Sequence, residues 1–109
     1  MENRSRGGRR HKDLQLCRQV FDALTYALAE LDDPLIDDLV LASVMPAPTG
    51  ARVQITLVPT REDIDREAAL GRVHDVIDEL REEVAAEVTR KRVPELVFRI
   101  GHRDELMDA

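Results

Sequence analysis

Apolar residues return every third or fourth position early in the chain: Leu14, Cys17, Phe21, Leu24, Leu28 and Leu31, with Val20 and Ala27 on the same side. That spacing predicts an amphipathic helix over residues 13–31, with Asp13 as its N-cap. Asp32-Asp33-Pro34 ends it, because the residue before a proline is pushed out of the α region. Residues 39–45 form an apolar run too short for a helix and read as a strand. Pro46-Ala47-Pro48-Thr49-Gly50 carries turn residues. From Ala51 to Val58 the period becomes two. Val53, Ile55 and Leu57 lie on one side, with Arg52, Gln54 and Thr56 on the other. This second strand has one covered face and is expected to pair with the first as a hairpin.

Thr60 and Asp63 resemble a helix N-terminal cap. Helical spacing follows in Leu70, Val73, Ile77, Leu80, Val84 and Val88, flanked by Ala69 and Val76. An unbroken helix over 61–92 would be roughly 48 Å long. A compact chain of this size is only on the order of 30–35 Å across. The segment is therefore expected to break near its middle, at Gly71 or at Val76-Ile77-Asp78. Val93-Pro94 closes it, and residues 96–100 read as a third strand. The order helix-strand-strand-helix-helix-strand predicts an α+β domain, a three-stranded sheet with helices packed on one face. Residues 1–11, charged and without apolar periodicity, are expected to form a disordered basic arm. Residues 12–100 form the domain, and 101–109 a short acidic tail.

A chain of 109 residues supports one core. Hydrophobic residues make up 43 % and charged residues 35 %, enough for that core under a strongly charged surface. Aromatic side chains are limited to Phe21, Tyr26 and Phe98, so a row of base-stacking platforms is excluded. The net charge of −6 conceals an asymmetry. Arg4, Arg6, Arg9, Arg10 and Lys12 against Glu2 make the first twelve residues basic, and the rest of the chain is strongly acidic. Nucleic-acid binders are more often basic overall. No apolar run reaches the roughly 20 residues of a membrane span. Cys17 is the only cysteine, which excludes an internal disulfide and makes a cytoplasmic location the expectation.

No catalytic constellation emerges. His11, His74 and His102 are not spaced with each other or with Cys17 as metal ligands. Cys17 falls on the apolar face of the first helix and reads as a buried thiol. No phosphate-cradling glycine loop or nucleophile elbow occurs, so the chain reads as a binding protein and not an enzyme. Two basic groups remain. One is the arm with Arg9 and Arg10; the other is Arg90-Lys91-Arg92 with Arg81 and Arg99. Cations there suit a helix C-terminus and equally suit phosphate.

Arg92-Val93-Pro94-Glu95-Leu96-Val97-Phe98, following a helix with Leu80-Arg81, resembles the bacterial ribosome-binding factor A family. Asp33-Pro34-Leu35, the Ala51-x-Val53-x-Ile55-x-Leu57 strand and Ala69-Leu70 agree with it in order over residues 12–100. The motif residues are Pro94, Glu95, Leu96 and Phe98. The resemblance implies a KH-like fold of the type II arrangement, with no cofactor and no metal. It implies binding to the immature small ribosomal subunit and its rRNA, help in late small-subunit rRNA processing, and contact with other assembly factors. A monomer is expected. The rRNA contacts would be Arg9, Arg10, Arg81, Arg90, Lys91 and Arg92. The family's Ala-x-Gly interhelical kink falls on Val76-Ile77-Asp78 here, where Asp78 sets a negative charge facing any phosphate. That departure and the acidic body open a second reading: a KH-like domain with a degenerated RNA face that acts as a protein-interaction module.

Overall fold

The computed structural model describes the backbone of residues 2–47, 52–88 and 93–107, with side chains of the first helix described from Leu14 onward. The elements run α1 (Glu2–Glu30), α2 (Pro34–Asp37), β1 (Leu39–Pro46), β2 (Arg52–Pro59), α3 (Arg66–Asp75), α4 (Ile77–Glu87), β3 (Glu95–Ile100) and α5 (Asp104–Met107). The expected order is present, with the short α2 and α5 added to it. β1 and β2 pair antiparallel, and β3 lies parallel to β2, which puts β2 at the centre of the sheet. Parallel strands need a crossover, and α3 with α4 provides it.

Val53, Ile55 and Leu57 of β2 are almost wholly buried, beside Val44 of β1 and Leu96, Phe98 and Ile100 of β3. Val20 and Leu24 of α1, Val73 of α3, and Leu80 and Val84 of α4 close over this face. Burying such side chains contributes about 1.5–3 kcal/mol each. The helix face of α1 matches the expected one at Cys17, Val20, Leu24 and Ala27 and differs at its edges. It centres on Leu16, Cys17, Val20, Ala23, Leu24 and Ala27, while Leu14 is 53 % exposed and Phe21, Leu28 and Leu31 sit at its margin. Ala23 and Ala27 are buried in the same face as Val20 and Leu24, so the core side of the helix combines small and large residues.

Four boundaries depart from the sequence pattern. α1 extends back to Glu2, through the arm expected to be disordered. Once residues 16–27 are docked, each added turn needs no new nucleus, and Arg and Lys are good helix formers. Asp33-Pro34 ends α1 but also starts α2. Asp33 accepts hydrogen bonds from Leu35 N (3.0 Å) and Ile36 N (3.3 Å), with Pro34 in the first turn. The cap of α3 is Asp65, whose Oδ1 accepts from Ala68 N at 3.1 Å, and not Thr60. Ile64, 9 % exposed, pins residues 60–64 to the core as a loop.

The segment after β3 is the fourth. Gly101 N donates to Leu57 O at 2.8 Å, and α5 folds back so that Glu105 reaches Arg99. Arg99 and Thr56 are register partners and project from the sheet face opposite Ile55 and Leu57. α5 thus lies by the face that α1, α3 and α4 leave open.

Candidate functional site

The helix break expected near Val76-Ile77-Asp78 consists of Val76 alone, standing between Asp75 and Ile77. Its φ of −110° and ψ of 14° need no glycine. Val76 N donates to Val73 O at 3.2 Å and Val76 O accepts from Leu80 N at 3.1 Å, so the turn stays hydrogen-bonded on both sides. The Val76 side chain is buried at 7 % exposure. The break is thereby closed from the inside by a core residue, and its backbone offers no glycine-like cleft.

Charges around it are mostly acidic. Asp75, Asp78 and Glu79 are exposed at the junction, and Glu82, Glu83 and Glu87 continue along α4. Arg72, the nearest cation on α3, is committed. Its Nε binds Asp33, and its Nη1 lies 3.6 Å from Asp75. The Arg72 hydrogen bond holds the Asp33 carboxyl below the usual carboxylate range, aided by the backbone donors of Ile36 and Leu35 and opposed by burial. This pair ties α2 to α3.

Arg81 is exposed one turn beyond the break. It edges an open groove of about 390 Å³ together with Asp78, Glu82, Ala85 and Val93. Arg90, Lys91 and Arg92 lie outside the described residues, and so do the side chains of Arg9 and Arg10. Val93 follows Arg92 directly in the sequence.

The Pro94-Glu95-Leu96-x-Phe98 motif has a structural basis. Pro94, Leu96 and Phe98 are buried, and Leu96 and Phe98 face the core. Glu95 Oε2 accepts from Arg52 Nε at 2.9 Å, across the register pair that joins β3 to β2. Both side chains are more than half exposed, so this ion pair adds little stability and helps set the register.

Sequence reasoning missed a second cluster. Arg61, Arg66, His102 and Arg103 gather in an open pocket at the other end of α3, with Pro59, Ile64 and Gly101 among its lining residues. They come from segments some 40 residues apart, and no local pattern joins them. Among the described residues, no group of three or more His, Cys, Asp or Glu is placed to hold a metal ion.

No family model and no curated protein matches the sequence. In structure, the chain is similar to a crystal structure of ribosome-binding factor A from Thermus thermophilus. The TM-score is 0.67 and the identity 26 %, over 79 % of this chain and 92 % of that one. This likeness bears out the resemblance read from the sequence and the KH-like α+β fold.

Proposed function

We propose that this chain, which has the fold of ribosome-binding factor A, binds the immature small ribosomal subunit through its rRNA and assists late rRNA processing and maturation. One observation carries the reading: the likeness to ribosome-binding factor A covers 79 % of this chain and 92 % of that one, at a TM-score of 0.67. The contacts are assigned to Arg81 at its groove and to Arg90, Lys91 and Arg92, which precede Val93 in the sequence, with Arg9 and Arg10 on α1 as a second basic element. The chain acts as a cytoplasmic monomer alongside other assembly factors. Among the described residues, no helix is long and apolar enough to cross a membrane, which accords with that placement.

Cosedimentation with small subunits tests the reading. Wild type is expected to migrate with immature subunits and to leave them as salt rises, since each phosphate contact releases counterions. A charge-reversed Arg90/Lys91/Arg92 variant should lose most of this association. Equal binding by that variant would remove the patch from the contact surface, and no binding by wild type would remove the reading.

The exposed carboxylates of α4 favour a second reading, a protein-interaction module whose partner presents basic residues. Salt-sensitive capture of a basic ribosomal protein, without binding to rRNA alone, would favour it over the first.

A further inference from the structure

The pocket at the N-terminal end of α3 has features that the small-subunit reading does not use. It has a volume of about 300 Å³, on the order of ten waters at roughly 30 Å³ each. Pro59, Ile64 and Gly101, all buried, line it together with the charged groups.

Three arginines line it, and they differ in what already holds them. Arg61 is anchored by Asp38 at 3.1 Å and Asp63 at 3.2 Å. Arg103 reaches Glu62 only at 3.9 Å, and that carboxylate is 89 % exposed, so the pair is weak and readily exchanged. Arg66 has no carboxylate among the described residues; its Nη1 lies 3.3 Å from His102 Nδ1. A guanidinium only donates, so Nδ1 must be the acceptor. The imidazole proton then sits on Nε2, free to donate in turn.

The cluster is held in place by α5. His102 N donates to Glu105 Oε2 at 2.7 Å, and His102 O accepts from Glu105 N at 3.0 Å. This turn brings His102 and Arg103 back beside Arg66. Glu62 and Asp104 also line the pocket and Asp38 and Asp63 hold Arg61, so the donors left for an incoming anion are Arg66 and the weakly held Arg103.

We propose that this pocket is an anion site that takes a phosphate group, gripped by Arg66 and Arg103 and met by His102. Guanidinium groups suit phosphate because their planar donors can bind two oxygens at once. The site lies about 15 Å from the α3–α4 break, the length of the ten-residue α3. It is therefore separate from the Arg81 groove, and its failure would leave the small-subunit reading intact.

The test titrates the full-length chain with inorganic phosphate at constant ionic strength, following the arginine Nε–H and His102 amide resonances. Saturable shifts at Arg66, Arg103 and His102 are expected. Binding should weaken about tenfold or more in an Arg66→Gln/Arg103→Gln variant, by a smaller factor in Arg103→Gln alone, and not at all in Arg18→Gln, an exposed arginine on α1. A second arm adds a short single-stranded RNA without terminal phosphates. Displacement of phosphate by this RNA assigns the site to the nucleic-acid backbone; phosphate binding without displacement assigns it to free or terminal phosphate. Non-saturating shifts in wild type, or wild-type affinity in the double variant, would overturn the proposal.

Discussion

Arg99 and Glu105 form a two-pronged ion pair, Nη1 to Oε1 at 2.8 Å and Nη2 to Oε2 at 3.1 Å, that fastens α5 beside the open face of the sheet. Arg99 Nη1 also donates to Thr56 Oγ1 at 3.0 Å, the one buried polar side chain among the described residues. The Arg99 hydrogen bonds, then the His102 N–H, lower the Glu105 carboxyl from an ordinary 4.5 to about 2. A carboxylate with a depressed folded pKa contributes stability that is complete above its unfolded value and is lost as pH falls. Wild type should therefore lose melting temperature between about pH 5 and pH 2 more steeply than Glu105→Gln. Above pH 6 wild type should melt higher than the variant. Parallel slopes for the two proteins in thermal melts would show that the pair does not link folding to protonation.

Gly101 is needed for close approach. A Cβ there would lie 2.9 Å from Glu105 Cδ and 3.1 Å from Thr56 Cγ2. Gly101→Ala is expected to destabilise by about 1–3 kcal/mol. Most of that cost should vanish in a Glu105→Ala background, because the side chain in the way is gone. A double-mutant cycle in urea measures this coupling, and strict additivity would refute it.

Asp33 serves two elements through one carboxylate, capping α2 and binding Arg72 of α3. Asp33→Ala removes both functions and should lower the melting temperature by several degrees, whereas Arg72→Gln should cost less. Because the folded carboxyl is held below its ordinary value, the deficit of Asp33→Ala should begin to shrink as pH falls below about 4, where the unfolded chain takes up the proton first, and should shrink further as the folded carboxyl protonates in turn. A deficit that does not change with pH would assign the effect to chain packing alone.

Leu80, 1 % exposed on α4, belongs to the core over which α1 and α4 close. Leu80→Ala should destabilise by about 2–5 kcal/mol in urea denaturation. A smaller loss would mean that the helices close over the gap.

Asp78 stands two residues past the break. If the small-subunit contact runs along this ridge, Asp78→Asn should tighten association severalfold at low salt, with the gain fading as salt screens the charge. Unchanged cosedimentation across a salt series would place the rRNA elsewhere.

The element order, the break near Val76 and the family motif were legible because each depends on neighbours in the chain. Length alone does not dictate the break, since α1 runs unbroken over 29 residues; the break falls at Val76, whose side chain is buried in the core. Leu96 and Phe98 read as part of a motif because they build the inner side of β3, directly after the buried Pro94. The face of α1 was legible at Cys17, Val20, Leu24 and Ala27, but periodicity weights large residues, so Leu14 was placed inside and Leu16 and Ala23 were left out. α5 escaped notice because four residues carry no period, and Glu105 matters only once Arg99 is opposite it.

By itself, the sequence determined which segments become helix or strand and which residues are apolar enough to be buried. Those properties reside in hydrogen bonds and side-chain spacings within a few residues. Tertiary structure decided that β3 runs parallel to β2, that Asp33 holds Arg72, and that Arg66 meets His102 36 residues away. Such meetings depend on how whole elements pack around one core, and no local period encodes them.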